Sequence, residues 1–308
     1  MGVKTELIYF NNTKLFKVIR LAGSKTKIAK NVAVNVIPGI NTNCKLYNMQ
    51  SDTNISITNL DKLIIEAVGS IWEVSHTFTI NDVVSTMFGN YRQKKFSSTL
   101  IKHVEESIDK MSDIDIIIDC SEEFAKRGIN IEMTQTKLLR LTKDNKKYTL
   151  EEPPALMTYA KAISQYITLK ADDVRMDKAF TENNALINRF LLTRIMQIKN
   201  NKNYLTKPEI SYCWYDSSSK KNKGLLPYLG ISEEHYKEHY KRRVDKINSQ
   251  VITLMDGYIS KGIIKKYNIV YKNKIPQKIE IEFEQKKVAK NSKKSGRKTE
   301  KNGNEQTL

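Results

Sequence analysis

Apolar residues from position 60 onwards recur at steps of three and four, which is the spacing of one face of an α-helix. The pattern predicts a first helix whose N-cap is Thr58 or Asn59. A short strand over 76–80 follows, and Asn81 can cap a second helix that ends close to Gly89. The chain is therefore expected to run helix, short strand, helix in this part.

A third helix and a hairpin complete this first unit. Ser97 or Ser98 is expected to cap the helix, which runs to about Met111. The β-branched run 114–119 predicts a strand, interpreted as the first strand of the hairpin, and its second strand is sought within 129–150. Helix, strand, helix, helix, hairpin is the order of a winged helix, in which the third helix enters the major groove of DNA.

The second half of the chain repeats this plan. Periodicity predicts a short helix over 154–163, a strand over 165–169 and a strong helix over 184–199. A further helix is expected to open at Pro208 and to contain Trp214. A second group of helices is thus predicted before the C-terminal part of the chain.

The last helix of the second unit is the longest one predicted. Ser232 is expected to cap it, it runs to about Ser260, and Gly262 stops it. Residues 263–284 read as two alternating strands around a lysine-rich loop. The predicted fold class is α+β, with two tandem winged-helix domains and a disordered basic C-terminal tail. The expected divisions are an N-terminal segment of uncertain fold over 1–53, a first winged helix over 54–152, a second over 153–284 and the tail over 285–308.

The start of this long helix, HYKEHYKRR at 235–243, contains the H-x-x-E-H spacing of an inverted zinc-peptidase motif. At 100° per residue, one side of the helix is apolar and contains Tyr236, Tyr240, Val244, Ile247, Val251, Leu254, Met255 and Tyr258. The opposite, outward side contains His235, Glu238, His239, Arg242, Lys246 and Ser249. Two imidazoles surrounded by fixed cations suit zinc poorly, since a third and usually acidic ligand is wanted. They suit phosphate and base edges better.

Candidate DNA-binding residues follow from these two surfaces. In the second unit they are His235, His239, Arg242, Arg243 and Lys246 on the helix and Lys272, Lys274 and Lys278 on the hairpin. In the first unit they are Arg92, Lys94, Lys95, Ser98 and Lys102, all near the start of the third helix. The later half of that helix is acidic and would be repelled by DNA. It therefore docks by its N-terminal turns, or the first unit is a protein–protein module.

Charge agrees with a polyanionic partner. The chain has 52 Lys and Arg against 34 Asp and Glu, a formal net charge of +18, which attracts phosphate backbones.

Three widely separated cysteines argue against a disulfide framework and for a reduced compartment. No apolar run has the length of a membrane span, and the N-terminus lacks a secretory signal, so a cytoplasmic protein is expected. No phosphate-binding loop, dinucleotide fingerprint or nucleophile elbow occurs, so neither an enzyme nor a cofactor is expected.

Two stretches resemble plasmid replication initiator proteins of Gram-positive bacteria. One is ISITNLDKLIIEAVGSIWEVSHTFTINDVVSTMFGN at 55–90, with Asp61, Trp72, Gly89 and Asn90. The other is EPPALMTYAKAISQYITLKADDV followed by NALINRFLLTRIMQIKN. The resemblance implies binding of repeated double-stranded sites at an origin and recruitment of host replication proteins. It also implies that the C-terminal unit reads the major groove while the N-terminal unit helps to form a homodimer or contacts adjacent DNA. The alternatives are a tandem winged-helix transcription regulator, which uses the same chemistry, and a zinc hydrolase.

Overall fold

The structure is a computed structural model that describes residues 2–19, 31–47, 57–93, 95–130, 134–200, 208–218 and 220–284. Its first elements are β1 (Leu7–Asn11), α1 (Lys14–Ile19), β2 (Asn31–Ile37), β3 (Ile40–Tyr47), α2 (Asn59–Trp72), β4 (Thr77–Phe78), α3 (Ile80–Met87), α4 (Ser98–Ser112), β5 (Asp115–Asp119), α5 (Ser121–Arg127), β6 (Thr134–Lys137), β7 (Leu141–Asp144) and β8 (Lys147–Leu150). Then follow α6 (Ala155–Ala162), β9 (Tyr166–Lys170), α7 (Ala171–Val174), α8 (Glu182–Asn200), β10 (Glu209–Ser211), β11 (Trp214–Asp216), β12 (Lys221–Lys223), α9 (Leu225–Tyr228), α10 (Glu233–Tyr236), α11 (Tyr240–Ser260), β13 (Lys266–Lys272) and β14 (Ile275–Glu282). The mixture of helices and strands agrees with the expected α+β class.

Two units of the chain share a sheet order, and they share an order of elements when the inserted ones are set aside, namely β5, α5 and β6 in the first unit and β11, β12 and α10 in the second. The first unit contains α2, β4, α3, α4 and the β7–β8 hairpin, and its three strands form a sheet of order β4-β8-β7. The second contains α8, β10, α9, α11 and the β13–β14 hairpin, and these three strands form a sheet of order β10-β14-β13. In both, the strand after the first helix pairs with the last strand of the hairpin. The two sheets therefore share a strand order, while the division into two tandem winged-helix domains stays a prediction.

The helix starts of the first unit are set by side-chain caps. Thr58 caps α2, and its hydroxyl accepts from the Asp61 backbone N–H at 3.1 Å. Ser97 caps α4 in the same manner, as its position in the sequence predicts. The prediction that Asn81 caps the second helix is wrong, because Thr79, two residues earlier, is the N-cap and forms a reciprocal capping box with Asp82.

The strand at 114–119 was predicted as the first strand of the hairpin, with its partner within 129–150. It does pair with β6 in that range, but it does not belong to the sheet that contains the β7–β8 hairpin. β5 pairs with β3 and β6 in a separate sheet of order β2-β3-β5-β6. A hairpin strand with one face in water would alternate, whereas Ile116 and Ile118 are buried and Asp115 on the other face is only 6 % exposed. Asp115 pairs with Lys137 at 3.2 Å, so it is not a surface residue of a hairpin.

The helix expected at Pro208 is replaced by strands. Ile210 and Tyr212 are buried while their neighbours are not, which is the two-residue period of a strand. β10 pairs with β14, and β11 and β12 form a separate two-stranded hairpin that contains Trp214. The second unit therefore carries an added hairpin between β10 and α9, a feature that the first unit does not have at the corresponding place between β4 and α3.

The long helix predicted from Ser232 to Ser260 is interrupted. α10 begins directly after Ser232, but Lys237–His239 form a 3-10 turn before α11 starts. The predicted end is confirmed, since α11 closes at Ser260 and Gly262 has a φ of +67°.

Two hydrophobic cores lie in the described residues, and the N-terminal segment contributes to both. Leu15 and Phe16 of α1 are buried in the first core, together with α2, α3, α4 and α6. Ile8 and Phe10 of β1 are buried in the second core, and β1 pairs antiparallel with β9. The division of the chain at 53, 152 and 284 stays a prediction, and the tail at 285–308 lies outside the described residues.

A buried ion pair joins the two units. Arg189 of α8 forms a bidentate contact with Glu66 of α2, and their side chains are 10 % and 3 % exposed. Glu66 also accepts from the Asn11 backbone N–H at 2.8 Å. Three segments that are far apart in the sequence therefore meet at one buried charge.

Candidate nucleic-acid interface

α11 has one buried face and one exposed face, as its periodicity predicts. Val244, Ile247, Val251, Met255 and Tyr258 are buried in the second core. Because these residues recur at three- and four-residue steps, one side of the helix is held against the core along its length. The position of α11 in the second unit is therefore fixed by packing.

The outward side of α11 is basic at its N-terminal half. His239, Arg242, Lys246 and Ser249 are exposed there. Within the described part of the chain, no carboxylate lies within ion-pairing distance of Arg242 or Lys246. Both cations lie one helical turn apart, so both can face the same phosphate backbone or the same groove.

Arg243 has a different environment from Arg242. Its guanidinium lies over the Tyr236 ring, 4.1 Å from the ring centroid. This contact ties α11 back to α10 across the 3-10 turn. The stacked guanidinium keeps its hydrogen-bonding edge available, so Arg243 can still contact a phosphate.

The H-x-x-E-H residues do not share one regular helix. His235 belongs to α10, Glu238 to the 3-10 turn, and His239 precedes α11. The His235 side chain lies outside the described part of the structure, as does Lys94. Among the described residues, no group of three His, Cys, Asp or Glu side chains is arranged to hold a metal ion. The regular helical spacing on which the zinc interpretation depends is therefore not present.

The β13–β14 hairpin places its three candidate lysines differently. Lys272 and Lys274 are exposed at the turn, where Asn273 and Lys274 have φ values of +51° and +62°. Lys278 is half-buried, and its ammonium pairs with Glu209 at 2.7 Å and Glu280 at 3.1 Å. The turn thus presents two exposed cations that have no ion-pair partner among the described residues, whereas the charge of Lys278 is compensated within the sheet.

The candidate residues of the first unit lie at the start of α4. Arg92, Lys95 and Ser98 are exposed, and Lys102 pairs with Glu106 at 3.7 Å. This is a surface ion pair of small energetic value, so it does not prevent Lys102 from turning toward a phosphate.

The acidic half of α4 is covered in part by the hairpin of its own unit. Lys143 of β7 contacts Glu105 at 3.1 Å and Asp109 at 3.3 Å. Hydrogen bonds with Tyr148 and Glu105 raise the pKa of Lys143 above its ordinary value. The hairpin thereby offsets some of the negative charge that would repel DNA from this helix.

The β11–β12 hairpin was missed by the sequence analysis. Trp214 is 47 % exposed and Tyr215 is 62 % exposed, and Lys223 lies over the Trp214 ring at 5.6 Å from its centroid. The alternation of Ile210 and Tyr212 just before it is the signal that could have identified strands here. The helix predicted to start at Pro208 covered the same residues, so the hairpin was not predicted.

Comparison with known proteins gives limited likeness. No protein-family model matches the chain, and no curated protein matches it either. One crystal structure of domains 2 and 3 of RctB is similar to this chain. The match covers 87% of this chain and 95% of the RctB chain, with 13% identity and a TM-score of 0.40. A second crystal structure of RctB domains 2-3 gives 87% and 96% coverage, 11% identity and a TM-score of 0.42. Both TM-scores are below 0.5, so the likeness carries no conclusion about function. Among the described residues, no helix combines the length and apolar character that a membrane span requires.

Proposed function

We propose that this chain binds specific double-stranded DNA sites through the outward face of α11 and initiates replication of a plasmid or mobile element at repeated origin sites. The observation that carries the proposal is the exposed pair Arg242 and Lys246, which has no carboxylate partner among the described residues, on a helix whose other side is buried. Each of the two units is interpreted as a winged helix, because the element order and the sheet order suit that fold.

In this proposal α11 enters the major groove with its N-terminal half. Arg242 and His239 then face base edges, where an Arg can bond both acceptors of a guanine. Lys272 and Lys274 at the hairpin turn contact the flanking phosphates, which hold the protein in register without reading sequence. A net charge of +18 supports the general attraction to phosphate.

The first unit has a supporting role in the proposal. Arg92, Lys95 and Ser98 lie at the first turns of α4, away from its acidic half, so any contact with adjacent DNA is made there. The same unit is proposed to contribute to a homodimer, and host replication proteins are proposed as further partners. No catalytic step and no cofactor belong to the proposal, and the protein is proposed to work in the cytoplasm.

The test uses the purified full chain and the DNA that surrounds its gene. Footprinting is expected to reveal protection of direct repeats spaced by about two helical turns, each turn being about 10.5 base pairs. A fragment that carries these repeats is expected to replicate only when the gene is intact. Protection of a promoter, with normal replication after the gene is interrupted, would refute initiation and favour a transcription regulator.

A further inference from the structure

A cavity of about 840 Å³ lies between α8, α9, the β11–β12 hairpin and the N-terminal end of α2. Sites for small molecules commonly have volumes of about 300–1,000 Å³. Leu229 and Phe190, which line the cavity, pack against both hydrophobic cores. The cavity therefore lies where the two units meet, and its lining shares no residue with the α11 face that is proposed to read DNA.

Three aromatic rings line this cavity. Phe190 of α8 and Tyr228 of α9 pack with ring centroids 5.0 Å apart. Trp214 of the hairpin also lines it and keeps 47 % of its surface exposed. A flat aromatic side chain that is open to a cavity offers a stacking surface for a planar ring.

Arg194 of α8 supplies a cation to the same cavity. Its guanidinium donates to the Gln197 amide oxygen at 2.9 Å, and no carboxylate of the described residues lies within ion-pairing distance. Although the residue has an exposed surface, burial of the guanidinium lowers its pKa below the ordinary value. Two other cations that line the cavity are compensated, because Arg189 pairs with Glu66 and Lys223 with Asp216, and Lys17 also lines it. Among the described residues, Arg194 is thus a cation of the cavity lining that has no carboxylate partner.

Asn59 contributes an unsatisfied acceptor. Its amide nitrogen donates to the Tyr228 backbone oxygen at 2.5 Å, while its Oδ1 is buried and has no hydrogen-bond donor among the described residues. Buried carbonyl oxygens are normally paired, so this atom gains a partner when the Asn59 side chain turns its oxygen toward the cavity and meets an N–H donor of a bound molecule. The cavity is not uniformly basic, since Glu182 also lines it, and His103 lies 3.8 Å from that carboxylate.

We infer that this cavity binds a mononucleotide-class ligand, whose base stacks on Trp214 and donates its exocyclic amine to Asn59 while its phosphate pairs with Arg194. An inorganic anion would use Arg194 but leave the aromatic rings and Asn59 without a partner. A purely apolar molecule would leave the guanidinium uncompensated. A ring with an amine and a phosphate satisfies all three features, and this assignment does not rest on the proposed DNA binding.

The experiment titrates adenosine 5′-monophosphate into the purified full chain and follows binding by calorimetry. Inosine 5′-monophosphate, which has a carbonyl where the adenine has its amine, is the matched ligand. We expect the adenine nucleotide to bind and the inosine nucleotide to bind about tenfold more weakly, because an unpaired buried acceptor remains in that complex. Equal affinity for the two nucleotides, or equal affinity for inorganic phosphate, would overturn the assignment.

The protein variants test whether nucleotide binding depends on the cavity or only on the positive charge of the protein. Arg194→Gln is expected to weaken binding about tenfold or more, whereas Arg140→Gln, the same change at an exposed position outside the cavity, leaves it unchanged. If Arg194→Gln fails to fold, Trp214→Ala on the exposed hairpin tests the stacking contact, and it too should weaken binding. No detectable binding at millimolar nucleotide, unaltered binding in these variants, or binding restricted to single-stranded oligonucleotides would each contradict the inference.

Discussion

At the scale of single residues, the pair of Glu66 and Arg189 has the largest expected influence on stability. Burial alone would lower the pKa of Arg189, but the charge and hydrogen bonds of Glu66 outweigh burial and leave that pKa raised. Asn11 adds to the pair through its backbone N–H and its backbone oxygen, the latter 3.2 Å from the Arg189 guanidinium. The pair is therefore satisfied only when β1, α2 and α8 are all in place.

We expect Glu66→Gln to reduce the free energy of unfolding by about 3–5 kcal/mol, because it leaves a buried guanidinium without a counter-charge. Chemical denaturation measures this change. Lys102→Ala, which breaks an exposed ion pair, is the control and should cost less than about 1 kcal/mol. Comparable losses in the two variants would mean that Glu66 is solvated and that the pair does not join the units.

The three thiols differ in burial, and their reactivity should follow it. Burial raises the pKa of Cys44 to about 12. Burial, with Glu123 nearby, raises that of Cys120 to about 11. Cys213 is half-buried and its pKa is raised as well. Because the thiolate is the reactive form, all three should react slowly with a disulfide reagent in mildly alkaline buffer, and Cys213 first.

A labelling time course counts modified thiols before and after unfolding. In Cys213→Ser the folded protein should no longer show a faster-reacting thiol. In denaturant, all of the remaining thiols should react. Three thiols that react at equal rates in the folded protein would contradict the burial of Cys44 and Cys120.

Residue identity alone predicted several local features well. Thr58, Ser97 and Gly262 were identified as helix-end residues because capping uses short-range hydrogen bonds and backbone freedom. Asn81 was predicted as a cap because its residue type suits that position, but Thr79 caps the helix, and its reciprocal contact with Asp82 distinguishes the two residues. Helix ends that depend on contacts within one turn can thus be predicted from the sequence. Which of two suitable residues is the cap depends on the geometry of the folded chain.

At the scale of elements, α11 and the β13–β14 turn are expected to differ in what they recognise. Arg242→Ala and Lys246→Ala should weaken binding to the protein's own repeat by about 1–3 kcal/mol if they meet base edges. Fluorescence anisotropy with the repeat and with a shuffled duplex, at one salt concentration, measures this difference. A loss for Arg242→Ala that is equal on both duplexes would refute its role in reading sequence.

Lys274→Ala provides the comparison from the hairpin turn. A lysine that meets only phosphate should weaken binding to both duplexes alike and reduce the salt dependence by about one counterion. Thr253→Ala, exposed on a later turn of α11, is the control and should leave both affinities unchanged.

The elements that were predicted wrongly depend on distant partners. The strand at 114–119 was recognised as a strand, but its partner β3 lies about 70 residues earlier, in a segment whose pairing the local pattern does not contain. The apolar and polar residues after Pro208 fit a helix start as well as a strand, and the pairing of β10 with β14 decides between them. The hydrophobic period along the sequence predicts whether a segment is a helix or a strand, but it does not predict which strand it pairs with.

At the scale of the whole molecule, β1 belongs to the second core even though it comes first in the chain. We expect Phe10→Ala to destabilise the protein by about 3–5 kcal/mol, because the ring is 3 % exposed and lies beneath the Arg189 guanidinium at 4.0 Å. Leu7→Ala, on the same strand at 41 % exposure, is the matched control and should change stability by about 0.5 kcal/mol or less. Equal effects in chemical denaturation would mean that β1 is not packed against the second core.

The mixed α+β class was predictable because helical and strand-like hydrophobic patterns both occur along the chain, while the division into two tandem winged-helix domains stays a prediction. The contribution of 1–53 was not predictable, since its short β-like runs pair with β5 and β9, far along the chain. The α11 surface was predicted from helical period alone, whereas the cavity between the units needs several distant segments and has no linear signal.

The pairing of β1 with β9 also affects how the protein is made. About 160 residues separate the two strands, and a ribosome adds about 5–20 residues per second, so β1 waits about 8–30 s for its partner. Throughout that interval Ile8 and Phe10 belong to an exposed strand with two open edges, which can pair with another nascent chain. The yield of folded protein should therefore depend on the speed of translation between the two strands, and slow codons there should favour aggregation.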